Sequence, residues 1–313
     1  MTTRPPTDTD ADTVAAPTPT RIGPRTFAWG ERTFVMGILN VTPDSFSGDG
    51  LIRRAREGQP VDAVTAAVEQ AVRMVEEGAD LLDIGGESTR PGHAPVEAAE
   101  EIGRVIPVVA SIHDALPDTP LSIDTTKVVV AEAALAAGAV LLNDVWGTSP
   151  DPSMAELAAA SGVPLVVMHN REVAHYDDVV AEVVADLEGA LGRAERAGVE
   201  PSRLIVDPGI GFGKTADHNV TLLRGLAALQ RLRRPILLGT SRKSTLGRIL
   251  DLSADQRLEG TIATTALGIA AGVDIIRVHD VEANVRAARV SDAIVRGRWH
   301  ADPEPPPVEG GPG

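Results

Sequence analysis

The chain has 313 residues, 43% of them hydrophobic, with a formal net charge of −15 and a sequence pI near 4.9. No apolar stretch is long enough to span a membrane, the acidic balance argues against a nucleic-acid-binding face, and the lack of cysteine excludes disulfides, thiolate metal sites and cysteine nucleophiles. A small anionic substrate stays open, because a local arginine and lysine pocket can act inside an acidic protein, and a cytoplasmic enzyme is the simplest expectation.

Residues 1–21 are Thr-, Pro- and Asp-rich without apolar periodicity and are expected to form a disordered tail. The stretch from Phe27 to Phe34 suggests a small β-hairpin whose apolar residues plug the bottom of the domain. Eight short apolar runs come next: 34–40, 79–86, 120–125, 139–144, 164–169, 204–209, 235–243 and 274–279. A run of about four to six Val, Ile, Leu or Met residues is too short for a buried helix and right for a strand covered on both faces.

Stretches rich in Ala, Glu and Arg separate these runs, as crossover helices require. Residues 61–77 place Val61, Val64, Val68, Val72 and Val75 at helical spacing and stop at Gly78. Residues 178–197 and 281–295 carry similar stripes, and 257–271 puts Leu258, Ile262, Ala266 and Ile269 on one face. Strand then helix, eight times over, predicts the α/β class: a (β/α)8 TIM barrel over residues 22–300, preceded by the hairpin and followed by a disordered tail at 301–313. Residues 41–60 are long for a strand-to-helix loop, as lids and binding loops are.

Chemistry in such a barrel sits at the C-terminal strand ends, so Asn40, Glu87, Asp124, Asn143, His169, Asp207, Lys243, Arg277 and His279 are expected around one mouth. Arg277 and His279 are two residues apart on a strand, so both side chains project together while Val278 turns into the helical layer. Such a pair beside the last two loops predicts an anion site; the competing reading is a salt bridge to Asp280 or Asp274 with a core histidine. Lys243 lies in GTSRKS (239–244) and suits hydrogen bonding to a substrate heteroatom better than a Schiff base. Asp207 opens DPGIGFGK (207–214). A buried carboxylate must be paired, either by the planar donor edge of a heterocycle such as a pterin or guanine, or by Lys214. Asp124 beside Asn143 offers mixed acceptors and donors suited to a heterocycle, unless each caps its next helix. Only three of the 29 basic residues are lysines, Lys127, Lys214 and Lys243, and all three follow predicted strands.

MGILNVTPDSF (36–46), GGESTRPG (85–92), DPGIGFGK, GTSRKS and RVHDV (277–281), in that order, resemble the dihydropteroate synthase family of pterin-binding enzymes. The resemblance implies that 6-hydroxymethyl-7,8-dihydropterin diphosphate is joined to 4-aminobenzoate, with pyrophosphate released. It further implies that Asp124, Asn143, Asp207 and Lys243 hold the pterin ring against Met168, and that Asn40 contacts a Mg2+ ion on the diphosphate, which Arg277 and His279 grip. Thr42, Pro43, Asp44, Ser45 and Phe46, with Ser88, Thr89, Arg90, Pro91 and Ser244, are implied in covering the site and forming the aminobenzoate pocket. The catalytic set expected on this basis is Lys243, Arg277, His279 and Asp124, in a homodimer joined through outer helices. Two departures stand out: SFSGDG (45–50) shifts Asp49 by one position, and Met168-His169-Asn170-Arg171-Glu172 lacks the glycine common after the fifth strand. A catalytically silent pterin-binding paralogue and a methyltetrahydrofolate-corrinoid methyltransferase are the alternatives. The Thr-Arg-Pro, Ser-Arg-Lys and Arg-x-His sequences favour the synthase, since a methyltransferase has no pyrophosphate to grip.

Overall fold

The computed structural model describes residues 16–41, 63–87, 96–147 and 149–297. Two short antiparallel strands, β1 (Thr20–Ile22) and β2 (Arg25–Phe27), come first. Eight parallel strands follow: β3 (Phe34–Asn40), β4 (Leu81–Gly85), β5 (Leu121–Asp124), β6 (Leu141–Asp144), β7 (Leu165–Met168), β8 (Leu204–Asp207), β9 (Leu237–Leu238) and β10 (Ile275–Val278). Their lateral order is β8-β7-β6-β5-β4-β3-β10-β9. The seam between β8 and β9 is closed by a parallel bridge from Val206 to Ile236, with the Val206 N–H donating to the Pro235 carbonyl at 2.9 Å. The result is the expected (β/α)8 barrel.

Nine α-helices lie among the described residues: α1 (Ala63–Glu76), α2 (Ala98–Ala115), α3 (Val128–Ala136), α4 (Ser153–Ser161), α5 (Val179–Arg196), α6 (Ala216–Arg224), α7 (Ser244–Leu250), α8 (Leu258–Ala270) and α9 (Val281–Val295). Strand parity divides the core between them and the barrel interior. Val35, Leu82, Ile84, Ile123, Leu142, Val167, Val206, Leu238, Ile276 and Val278 face outward and join the helices in one large apolar cluster. Phe34, Met36, Leu81, Leu141, Val166, Ile205, Leu237 and Ile275 face inward and form the lower interior layer with Ile22, Phe27 and Trp29. The hairpin therefore plugs the barrel bottom as expected, although its strands lie earlier than the Phe27–Phe34 stretch, and β1 begins inside the segment expected to be a tail. The reason is local: Gly23, at φ 55°, makes the tight turn between β1 and β2. Trp29 stays outside both strands, where its indole N–H donates to Thr20 Oγ1 at 2.9 Å.

Two helices bury faces other than those the spacing suggested. In α1 the buried residues are Ala66, Ala67, Ala71 and Met74, with Val64, Val68 and Val75 only partly covered. Small side chains let α1 approach β3 closely: a Cβ added at Gly37 would stand 3.0 Å from the Met74 sulfur. In α8 the buried face is Thr261, Thr264, Thr265, Gly268 and Ile269, not the Leu258–Ile262–Ala266 stripe. Threonine is tolerated there because each hydroxyl finds a partner: Thr264 meets Thr240 Oγ1 at 2.8 Å and Thr265 donates to Asn284 Oδ1 at 2.8 Å.

Phe27 is 1% exposed, and its ring centroid lies 5.6 Å from that of Trp29 and 4.7 Å from that of Phe34. Phe27→Ala is expected to lower unfolding free energy by about 3–5 kcal/mol, the cost of a large aromatic lost from a packed core. Urea titration measures this, and a loss below about 1 kcal/mol would mean that the plug does not support the barrel.

Candidate active site

Above the apolar layer the same inward parity carries mostly polar residues. Asp83, Ser122, Asp124, Asn143, Met168, Asp207 and Arg277 occupy it, with Asp83 registered beside Ser122, Asp124 beside Asn143, and Met168 beside Asp207. Arg277 is the centre of charge. Its Nε donates to Asp83 Oδ2 at 2.5 Å and its Nη2 to Asp124 Oδ2 at 2.7 Å. Asn143 Nδ2 donates to the same Asp83 oxygen at 2.9 Å. Asp83 Oδ1, Asp124 Oδ1 and Ser122 Oγ are buried with no hydrogen-bond partner. A Cβ placed on Gly239 would lie 3.9 Å from Asp207 Oδ2 and 4.0 Å from Arg277 Cβ, which brings those two side chains to one spot.

The salt-bridge alternatives for Arg277 are excluded. Asp280 pairs in bidentate fashion with Arg242, and Asp274 accepts from the backbone N–H groups of Gly30 and Ile236. The helix-cap reading of Asp124 also fails, since α3 has Lys127 at its N-cap position without a side-chain cap.

Lys243 enters from the loop after β9, with its Nζ 4.0 Å from the Phe212 ring centroid. That position is built by neighbours. Arg242 holds a left-handed φ of 58° against the Asp280 carboxylate, and Arg257 donates to the carbonyls of Arg242 at 2.9 Å and Lys243 at 3.3 Å. Gly211 lets the lysine stem pass, since a Cβ there would meet Lys243 Cδ at 3.1 Å. His279 bonds Ser241 Oγ through Nδ1 at 3.0 Å and sets Nε2 3.5 Å from Asn40 Nδ2. Ser244, the first residue of α7, is exposed. Phe46, Thr89, Arg90 and Pro91, together with Thr42, Pro43, Asp44, Ser45, Asp49 and Ser88, lie outside the described residues.

Two strand-end residues expected at the mouth are engaged by other partners. His169 follows the inward Met168 and so turns outward, fully buried, with Nε2 3.1 Å from Asp186 and Nδ1 2.8 Å from Lys214 Nζ. Glu87 accepts from the Val96 N–H at 3.1 Å and from Lys127, whose ammonium also reaches buried Glu101 at 2.6 Å. Nor is Lys214 seen bonded to Asp207: its ammonium donates to the carbonyls of Gly209 and Phe212, each at 3.0 Å. Asp207 Oδ1 instead accepts from the Gly209 N–H at 2.7 Å. Only glycine fits there, at φ 66° with any Cβ 1.9 Å from the His169 carbonyl oxygen. The loop after β7, without the glycine noted in its sequence, is fastened by Arg171, which donates to Asp186 at 2.9 Å, Glu182 at 2.7 Å and the His175 carbonyl at 3.0 Å.

Burial sets the protonation of this interior. Desolvation raises Asp124 to about 7, opposed by Arg277 and reinforced by Asp83, and raises Asp207 to about 6 against the Gly209 N–H bond and Lys243. Burial works against the charge on Arg277, but Asp83 and Asp124 outweigh it and its pKa is raised. Burial pulls Lys214 down to about 7 and, with Lys214 adding to it, His169 down to about 4. The cavity thus joins an acceptor-rich floor of Asp83, Asp124, Asn143 and Asp207 to a donor wall of Arg277, Lys243 and His279.

The pterin binding enzyme family model matches residues 36–279. A dihydropteroate synthase of Clostridium beijerinckii is 46% identical over 277 residues, covering 88% of this chain and 99% of that protein. Among solved structures, the Xanthomonas albilineans dihydropteroate synthase with 4-aminobenzoic acid superposes with a TM-score of 0.81 at 43% identity, covering 88% of this chain and 98% of that one. The same enzyme in complex with 7,8-dihydropteroate gives a TM-score of 0.79 at 42% identity, with the same coverage.

The raised pKa of Asp207 has a sign that stability measurements can read. Below the ordinary carboxylate pKa, Asp207 is protonated folded or unfolded. As pH rises through about 6 the folded state must ionise a buried group that the unfolded state ionises readily, so stability is lost. Asp207→Asn removes this cost and keeps an oxygen for Gly209. The unliganded variant is expected to match the parent near pH 4 and to exceed it by on the order of 1–3 kcal/mol at pH 8. Thermal unfolding across that range checks it; a variant less stable than the parent at pH 8 would contradict the assignment.

Proposed function

The chain belongs to the pterin-binding enzyme family, and from that premise we propose that the barrel-mouth cavity is where this chain, as a dihydropteroate synthase, joins 6-hydroxymethyl-7,8-dihydropterin diphosphate to 4-aminobenzoate. The products are 7,8-dihydropteroate and pyrophosphate. The observation that carries the site assignment is the junction of acceptors and donors around Arg277: two buried carboxylates clamp one guanidinium beside Asn143 and Asp207.

Asp124, Asn143 and Asp207 take the donor edge of the pterin, Met168 lines its face, and Lys243 reaches a ring heteroatom. Arg277 commits Nε and Nη2 to the two aspartates, and the remaining N–H donors of its guanidinium serve the diphosphate with His279. Bond breaking at the pterin methylene carbon expels pyrophosphate, so cationic donors held where that charge develops lower the barrier. The aniline nitrogen of aminobenzoate is unprotonated at neutral pH. It needs placement more than a base, and no Ser-His-Asp arrangement is called for. The aminobenzoate subsite is assigned to Phe46, Thr89, Arg90, Pro91 and Ser244 on sequence resemblance.

No cluster of three His, Asp or Glu residues suited to a metal occurs among the described residues. Mg2+ keeps several waters and binds substrate phosphates with one or two protein ligands, and the side-chain amide oxygen of Asn40, at the end of β3 beside His279, would suit that donor set. When bound, the ion would neutralise diphosphate charge.

A homodimer is the assembly we assign. Leu267 on α8 is 69% exposed, and Val290 and Ile294 on the adjoining α9 are 61% and 77% exposed, an apolar face that a second copy would cover. Among the described residues no helix is long and apolar enough to cross a membrane, and the cysteine-free composition supports a cytoplasmic setting.

With Mg2+ and both substrates, pyrophosphate release is expected only when aminobenzoate is present, with sulfonamides competing; tight pterin binding without dihydropteroate would favour a silent paralogue. Asp207→Ala is expected to weaken transition-state binding by about 2–5 kcal/mol, as truncation of a buried charged contact does, read as a loss in kcat/KM for the pterin substrate. Leu267→Asp/Ile294→Asp is expected to yield monomers in analytical ultracentrifugation, and an unchanged dimer would move the interface elsewhere.

A further inference from the structure

Asp83 is fully buried and lies in the middle of β4, yet it is the one carboxylate that touches both Asn143 and Arg277. Its Oδ2 accepts from Asn143 Nδ2 at 2.9 Å and from Arg277 Nε at 2.5 Å. A carboxylate has no proton to donate, so it fixes which end of the Asn143 amide faces it. With Nδ2 held on Asp83, Oδ1 occupies the opposite branch of the planar amide, and residue 143 offers the site an acceptor. The same contact fixes the roll of the Arg277 guanidinium, whose Nη2 then meets Asp124 at 2.7 Å.

We propose that Asp83 is a positioning residue for the reaction, setting the acceptor polarity of Asn143 and the orientation of Arg277, and thereby selecting a ring with a donor edge. This rests on the dihydropteroate synthase reading. Asp83 touches no substrate in this scheme and acts through its two neighbours. The geometry is specific in a way packing is not: a buried carboxylate with a second oxygen, Oδ1, left without a partner is an expensive choice for a strand interior unless its polarity is used.

Asp83 also acts on Asp124 through charge. The groups facing Asp124 are Arg277 and Lys243, which favour its ionised form, and Asp83 and Glu101, which oppose it. Removing the charge at residue 83 therefore lets Asp124 ionise at lower pH, whatever neutral side chain replaces it. Hydrogen-bond loss, by contrast, depends on the replacement.

The test is a series of Asp83→Asn, Asp83→Ser and Asp83→Ala in the full chain, so that failure of one variant to fold leaves the comparison standing. KM for the pterin diphosphate is expected to rise in the order Asn, Ser, Ala, reaching at least about tenfold for Ala, as loss of charged hydrogen bonds implies, while KM for aminobenzoate changes less than about twofold. The midpoint of pH-dependent pterin binding is expected to shift to lower pH by the same amount in all three variants. Equal rises in both KM values, or an unmoved pH midpoint, would overturn the proposal and leave Asp83 a structural residue. If the unaltered protein forms no dihydropteroate, it is the functional reading that fails instead.

Discussion

Closure of a parallel sheet forces every second side chain of eight strands into one narrow interior, and the rest of the molecule depends on how that space is filled. The lower half is filled by Phe34, Met36, Leu81, Leu141, Ile205, Leu237 and Ile275 and sealed by Phe27 and Trp29, so it is a packed core and not a pore. Moving up by one pleat replaces Met36, Leu81, Leu141, Ile205 and Ile275 by Ile38, Asp83, Asn143, Asp207 and Arg277 on the same strands. On β4, β8 and β10 the transition from apolar to ionisable takes one two-residue step, from Leu81 to Asp83, Ile205 to Asp207 and Ile275 to Arg277. A site built this way is rigid, because its side chains leave strands rather than loops.

That rigidity sets charges against solvation. Asp83, Asp124 and Asp207 lie within one enclosure with Arg277 as the central counterion, and burial raises both Asp124 and Asp207. Buried ion pairs are weak sources of stability, and removing one partner is far worse than removing both. Such carboxylates persist where a ligand completes their hydrogen bonds. Polar atoms left without partners, Asp83 Oδ1, Asp124 Oδ1 and Ser122 Oγ, are concentrated in this same layer. Stability is conceded where binding is gained, as expected at preorganised sites.

Much of this was legible in the sequence. The apolar runs put Asp124, Asn143 and Asp207 at strand ends, and two-residue spacing put Arg277 on one side with His279. The two-residue rule, applied one pleat deeper, finds Asp83, which shares its face with Leu81 and Gly85; Asp83 lies inside its apolar run and not at the strand end, where the chemistry of a barrel is expected. His169 shows the reverse error, a strand-end residue one step out of phase. Partners in space had no local signal at all. Nothing near Arg277 in the chain announces Asp83, some 194 residues away, nor does the α8 sequence reveal that threonines face inward, where Thr264 and Thr265 meet Thr240 and Asn284 from other elements.

The lysines illustrate why residue type and location do not suffice for a role. All three follow strands, yet they divide by what surrounds the ammonium. Lys127 is bound by Glu87 and buried Glu101 and ties the start of α3 to the end of β4. Lys214 is enclosed by the carbonyls of Gly209 and Phe212 and by His169; it holds the glycine loop in the shape that gives Asp207 its Gly209 hydrogen bond. Lys243 alone approaches the cavity over Phe212, carried there by a left-handed Arg242 that Asp280 and Arg257 restrain. An ammonium on a long stem takes whatever acceptors the fold provides. What carries Lys243 to the proposed site is the shape of the loop beneath it, where Gly211 leaves room for its stem.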